Sequence, residues 1–271
     1  MNYEAITFEV DGRVAIVELN RPDKLNAINK AVKEEMADAL KRFSEDDDLR
    51  VMVIAGKGGK AFSVGFDLVE STGTPRTDVK KWRERTRDDY LFCRSPWDCP
   101  KPIIAMIDGH CLAGGLEFAQ MCDIRYCSDT SSFGVVETRF SAGVVALGMP
   151  WIIGNRCREL IYTGDTFDAA EAERLGLVNR VYPKDRLREE VIKNAKRMGQ
   201  VALDCLVWNK RAITNTYSAM GFEPALLYGL EACTLMDVIH TPEYIEFARI
   251  RAEQGLGAAL AWRDGQFKPY E

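Results

Sequence analysis

Ile103-Ile104-Ala105-Met106-Ile107-Asp108-Gly109-His110-Cys111-Leu112-Ala113-Gly114-Gly115-Leu116-Glu117 is the stretch that decides the fold. Its first five residues are uncharged and isoleucine-rich, as in a strand buried on both faces, and Asp108-Gly109 ends that run with a turn signal. Small residues and paired glycines then lead into a helix expected to begin near Gly114. A buried strand handed on to a helix is the repeating unit of an α/β protein. The free N–H groups at such a helix start can hold an anion or a developing oxyanion, although the same glycines would also serve close strand-to-helix packing.

Working outward, residues 6–10 and 14–19 meet at Asp11-Gly12 and predict a β-hairpin. Val32, Met36, Leu40 and Phe43 recur at helical spacing, which predicts a helix with Asn29 as its N-cap and the acidic run 45–48 as its end. Residues 51–55 read as a second buried strand, followed by the turn Gly56-Lys57-Gly58-Gly59. The charged stretch 71–100, with Trp82, Tyr90, Phe92 and Trp97, reads as a helical segment flanked by mobile loops. Further short strands are expected at 124–127 and 177–181, and a helix at 167–175 begun by Asp165 or Thr166. From Asp185 onward only helical spacing remains, as in Leu187, Val191, Ala195 and Met198. The expectation is an α/β core over residues 1–184 and an all-helical region over 185–271. Within that region Leu226, Leu227, Leu230, Leu235, Met236 and Ile239 offer more apolar surface than a lone appendage should expose.

Composition narrows the function classes. The 271 residues are 46% hydrophobic and 28% charged, which excludes a disordered or collagen-like chain. Thirty-six basic against 41 acidic residues give a net charge of −5 and a pI near 5.4, so no nucleic-acid partner is expected. The longest uncharged run, 140–155, is broken by Gly143, Gly148, Pro150 and Gly154 and is shorter than the roughly 20 residues of a bilayer span. Met1-Asn2-Tyr3-Glu4 does not resemble a signal peptide, so a cytoplasmic location and no membrane partner are expected. Eight scattered cysteines without a C-x-x-C pair, and only two histidines, predict buried reduced thiols and no metal site.

Two further segments carry chemistry: Lys60-Ala61-Phe62-Ser63-Val64-Gly65-Phe66-Asp67-Leu68, and Phe133-Gly134-Val135-Val136-Glu137, which delivers a single carboxylate. Each is weak alone. Taken with 103–117 in this order, they resemble the enoyl-CoA hydratase/isomerase (crotonase) superfamily. The resemblance starts at Arg21-Pro22-Asp23-Lys24-Leu25-Asn26-Ala27-Ile28 and continues through Tyr162-Thr163-Gly164-Asp165 and residues 171–179. It covers about 1–183 well and the helical C-terminus more loosely.

The resemblance implies a ClpP-like spiral of ββα units and an activity on acyl-CoA thioesters. It matches the backbone amides of Phe66 and Gly114 to an oxyanion hole. Lys24 matches a position near the CoA phosphates, the backbone around Ala61 and Ser63 matches the adenine-binding edge, and Leu25, Ala27, Val64, Asp67 and Leu68 complete the expected substrate contacts. Lys57 and Lys60 are placed to add local positive charge. No cofactor is implied beyond the coenzyme A of the substrate, and self-association as a trimer or dimer of trimers is expected.

Glu117 and Glu137 match the two acids of the hydratase branch, which makes hydration, or the reverse dehydration, the leading expectation. An isomerase, a decarboxylase or a carbon–carbon hydrolase would need only one of the two. A non-catalytic RNA-binding relative is disfavoured by the acidic balance. Three departures bear on the acyl pocket. Val136 replaces a common proline, the stretch after Glu137 is shortened, and Phe66 exceeds the usual alanine. They speak for a bulky, apolar pocket wall and against a general fatty-acyl substrate. Arg139, Trp97 and Trp82 are further pocket candidates.

Overall fold

In the computed structural model, which describes residues 3–70 and 76–270, successive strands are dealt alternately into two sheets. β1 (Ile6–Asp11) and β2 (Val14–Leu19) form the expected hairpin. β3 (Val51–Gly56), β5 (Ile103–Ile107), β7 (Ile124–Ser128) and β10 (Arg180–Tyr182) extend it to a six-stranded sheet in the order β1-β2-β3-β5-β7-β10. β4 (Ala61–Ser63), β6 (His110–Leu112), β8 (Ser132–Gly134) and β9 (Thr166–Asp168) form the second, four-stranded sheet in that order. Pairing is parallel except in the β1–β2 and β8–β9 pairs.

The pairs β3–β4, β5–β6 and β7–β8 are thus three turns of a spiral. The first turn is closed by helix α2 (Val79–Asp98), the second by α3 (Gly114–Gln120) and the third by a 3-10 turn (Val136–Phe140). Burial explains the regularity. β3 and β5 lie between neighbouring strands with nearly every side chain buried, so they carry continuous apolar runs rather than alternation. Helix α1 (Lys30–Glu45) is capped by Asn29, whose side chain accepts from the Val32 amide, and buries Val32, Met36, Leu40 and Phe43 as its spacing requires.

Two local expectations are corrected. Residues 166–168 are a strand, because Phe133 and Phe167 pair across β8 and β9 and stack with ring centroids 5.8 Å apart. The helix there, α6, is confined to Ala169–Leu175 and capped by Asp168. The strand expected at 177–181 begins only at Arg180, since Leu177 and Val178 donate back to Ala172 in the turn that ends α6. The loop expected before α2 falls partly on residues 71–75, outside the described residues. Seven cysteines are buried thiols as anticipated, but Cys205 is exposed.

Short helices α4 (Met149–Ile153) and α5 (Cys157–Thr163) precede α6. Beyond β10 the described chain is helical: α7 (Leu187–Met198), α8 (Leu203–Ala219), α9 (Phe222–Val238), α10 (Pro242–Gln254) and α11 (Leu256–Phe267). This region is clamped to the spiral. Lys210 of α8 is 7% exposed, and its Nζ donates to Pro96 O (2.9 Å), Lys101 O (3.1 Å) and Asp123 Oδ2 (2.8 Å). Asp123 Oδ2 also accepts from the Ile103 amide at the head of β5 (2.7 Å). Lys210→Met would strip a partly exposed carboxylate and two carbonyls of their donor, and is expected to lower unfolding stability by ~1–3 kcal/mol. Urea denaturation measures this, and an unmoved midpoint would remove Lys210 from the clamp.

Candidate active site

The turn from β6 into α3 is the strained point of the chain. Ala113 sits at φ 50°, ψ −134°, a conformation that costs a residue with a Cβ ~1–3 kcal/mol. Its own amide is spent on Gly134 O (3.0 Å) and its carbonyl accepts from Leu116 and Glu117, so α3 starts abruptly with the Gly114 amide lacking an acceptor among the described residues. Gly115 must be glycine here, because a Cβ would lie 2.6 Å from Ser63 O.

Phe66 lies on the facing strand edge, where it forms an isolated parallel bridge with Ile28. The bridge uses Gly65 O and the Asp67 amide, which leaves the Phe66 amide unspent. The Phe66 ring packs onto Gly114, and both residues line one cavity of about 1000 Å³.

Glu117 and Glu137 meet inside this cavity. Glu117, one turn into α3, is 2% exposed. The Ala146 amide donates to its Oε2, and the amide of Val145 adds to the stabilisation of its charge. Glu137, in the 3-10 turn after β8, has both carboxylate oxygens shielded from solvent. Apart from each other, Glu117 Oε1 and the two Glu137 oxygens receive no hydrogen bond among the described residues.

Burial raises the pKa of both carboxyls, and the charge of Glu117 raises that of Glu137 well above the usual carboxylate range. Of the two, Glu137 is pushed further toward its protonated form, while the backbone amides at Glu117 favour the carboxylate there.

Two more carboxylates face the cavity. Asp89 of α2 pairs with Lys33 (2.5 Å) and lies 3.7 Å from Arg85, yet burial still raises its pKa. Asp237 of α9 accepts from Trp82 Nε1 and from the Gly143 amide, both at 3.1 Å, and burial raises it as well.

Of the expected contacts, Leu25, Val64, Phe66, Leu68, Gly114, Glu117 and Glu137 line this cavity, as do Trp82 and Arg139. Others stand outside it. Lys24, Lys57 and Lys60 are exposed, while Ala27 and Ala61 are buried. Ala61 O is taken by Asn26 Nδ2 (2.7 Å), and Ser63 Oγ donates to Asn26 O (2.8 Å), bracing the loop that presents Leu25. Asp67 turns away into an ion pair with Arg21 at 3.0 Å. Trp97 packs on Tyr217 and Phe222 instead.

Val136, Ala142, Gly143 and Val145 give the lining a small, apolar portion, and arginines line the cavity as well. Sequence reading missed Arg76, Asp237 and the contribution of α10 and α11, whose Tyr244, Phe247, Arg251 and Arg263 cover the cavity. Arg251 fixes this cover by donating to Leu68 O (2.8 Å).

The family profile described as enoyl-CoA hydratase/isomerase matches residues 9–226. A "Probable enoyl-CoA hydratase" of Rhizobium meliloti (strain 1021) is 33% identical over 99% of both chains. The mitochondrial Delta(3,5)-Delta(2,4)-dienoyl-CoA isomerase of Rattus norvegicus is 37% identical over 67% of this chain and 60% of its own. Among solved structures, an enoyl-CoA hydratase/isomerase from Xanthobacter autotrophicus Py2 superimposes with a TM-score of 0.94 at 34% identity, covering 98% of this chain and 99% of the other. With its spiral of two sheets and its matched segments, the chain belongs to the enoyl-CoA hydratase/isomerase family, the crotonase superfamily.

Proposed function

We propose that the protein is an enoyl-CoA hydratase that adds water across the Cα=Cβ bond of an α,β-unsaturated acyl-CoA thioester, or removes it in reverse. The observation that carries this reading is the buried Glu117–Glu137 pair beside two backbone amides, those of Phe66 and Gly114, that have no acceptor among the described residues. In this reading the amides of Phe66 and Gly114 receive the thioester oxygen, where negative charge grows as a nucleophile adds at Cβ. Glu117 takes a proton from the water as its oxygen bonds to Cβ, and Glu137 gives its proton to Cα. The pair then restores itself by passing the proton from Glu117 to Glu137.

The coenzyme A moiety belongs on the side of Leu25, Val64 and Leu68, and no further cofactor is needed. Leu227, Tyr228, Leu235, Met236 and Ile239 are exposed along and just after α9, which supports self-association as trimers or dimers of trimers. The buried free thiols suit a cytosolic setting.

Incubation with crotonyl-CoA and a panel of branched and cyclic enoyl-CoAs, followed by loss of the conjugated thioester absorbance, tests the activity. Silence on the whole panel would overturn it.

The pH profile gives a second check. Activity needs one proton on the pair, so kcat/KM is expected to be bell-shaped. It falls at low pH as Glu117 protonates and at high pH as Glu137 ionises, with both limbs above the ordinary carboxylate range because both pKa values are raised. A single acidic limb at the pKa of a free carboxyl would contradict the shared proton.

A further inference from the structure

Five arginines line the cavity: Arg76, Arg85, Arg139, Arg251 and Arg263. Such a lining is costly for a site meant to hold only a hydrocarbon chain. Arg251 is spent on Leu68 O, Arg263 on Asp264, and Arg139 on Asp165 and Thr163 O. Arg85 faces Asp89.

Arg76 is different. Its guanidinium is clamped between the rings of Tyr244 (4.1 Å to the centroid) and Trp82 (5.2 Å), and its Nη1 is buried without an acceptor among the described residues. Asp237, which also meets Trp82, has given its two oxygens to Trp82 Nε1 and the Gly143 amide. It holds the arginine in place electrostatically without filling that donor. Trp82, on which Arg76 packs, donates to Asp237, Asp237 accepts from the Gly143 amide, and Ala146 three residues on donates to Glu117, so this run of contacts puts Arg76 on the side of the acids, where an acyl chain would lead.

The geometry points to Arg76 as a specificity residue that binds a carboxylate at the far end of the acyl chain, so that the substrate class is ω-carboxyacyl-CoA thioesters. The inference rests on the acyl-CoA reading above. A planar carboxylate offers the acceptor that the buried Nη1 lacks, and Trp82 and Tyr244 fix the orientation of the guanidinium. The cover from α10, which supplies Tyr244, excludes water and strengthens the pair.

Calorimetric binding of saturated, unreactive analogues tests this apart from catalysis. Glutaryl-, adipyl- and pimelyl-CoA are compared with the monoacyl-CoAs of the same chain length and with free CoA. At least one dicarboxylic thioester is expected to bind the wild type roughly 10- to 100-fold tighter than its monoacyl counterpart. Arg76→Met should erase that preference and leave free CoA unchanged, which also reports that the variant is folded. Arg76→Lys, retaining the charge but not the planar fork, should keep part of it.

Equal binding of the two series by the wild type would overturn the proposal. So would an equal loss for free CoA in Arg76→Met, which would assign the arginine to the CoA phosphates. Failure of crotonyl-CoA hydration with the binding preference intact would count against the hydratase reading alone.

Discussion

Replacing Glu117 or Glu137 by glutamine is expected to cut enoyl-CoA hydration by ~10²- to 10⁴-fold each, and the double variant should lose far less than the product of the two. In the proposed reading the carboxyls share one proton, and among the described residues no other side chain donates to their free oxygens, so removing either disables the unit. The two variants should differ in stability, which separates a chemical loss from a folding defect. A carboxyl whose folded pKa lies above its unfolded value destabilises the fold progressively as pH rises from the ordinary carboxylate range toward the folded value. Glu137→Gln removes that burden, so it should match the wild type in acid and exceed it in thermal stability at neutral and alkaline pH. Glu117→Gln discards a carboxylate held by the Ala146 amide and should gain less. Near-normal hydration by Glu117→Gln would end the hydratase assignment. Full activity in Glu137→Gln, with loss only in Glu117→Gln, would favour a one-acid isomerase or decarboxylase.

What could be read from the sequence divides along a physical line. Residues 103–117 announced both the central strand and the start of α3, because burial on both faces and the glycine pair leave local signatures. The same holds for α1, whose cap and apolar stripe are written in consecutive turns. β9 was illegible for the opposite reason. It is three residues long, and Phe167 is extended because it stacks on Phe133, a partner far off in the chain. Glu117 and Glu137 were identifiable only through family resemblance, since twenty residues and an intervening strand of the other sheet, β7, separate them along the chain. Nothing local predicts that Trp82 and Asp237, 155 residues apart, would meet, or that α10 would lay Tyr244 across Arg76. Asp67 and Lys24 show where a matched position alone is not enough. Their matched positions suggested ligand contact, and here Asp67 is held by Arg21 while Lys24 is an exposed lysine outside the cavity lining, a position that neither supports nor opposes contact with a phosphate.

The oxyanion hole admits a test in which the same position is substituted twice. A Cβ at Gly114 would lie 2.6 Å from the Phe66 ring, so any substitution there displaces that ring as well as altering the amide. Gly114→Pro alone would thus confound two effects. Gly114→Ala imposes the same crowding but keeps the N–H, while Gly114→Pro crowds and deletes the donor, at a first helical position where proline is tolerated. The ratio of their kcat values isolates the hydrogen bond to the thioester oxygen. Proline is expected to fall a further ~10²- to 10³-fold below alanine, corresponding to ~3–4 kcal/mol of lost transition-state stabilisation. Affinity for free CoA should be alike in the two variants, because both carry the added carbon and free CoA has no thioester oxygen for the amide to hold. Equal kcat for alanine and proline would show that the Gly114 amide carries no developing charge. The strained Ala113 that aims this amide would then need another explanation.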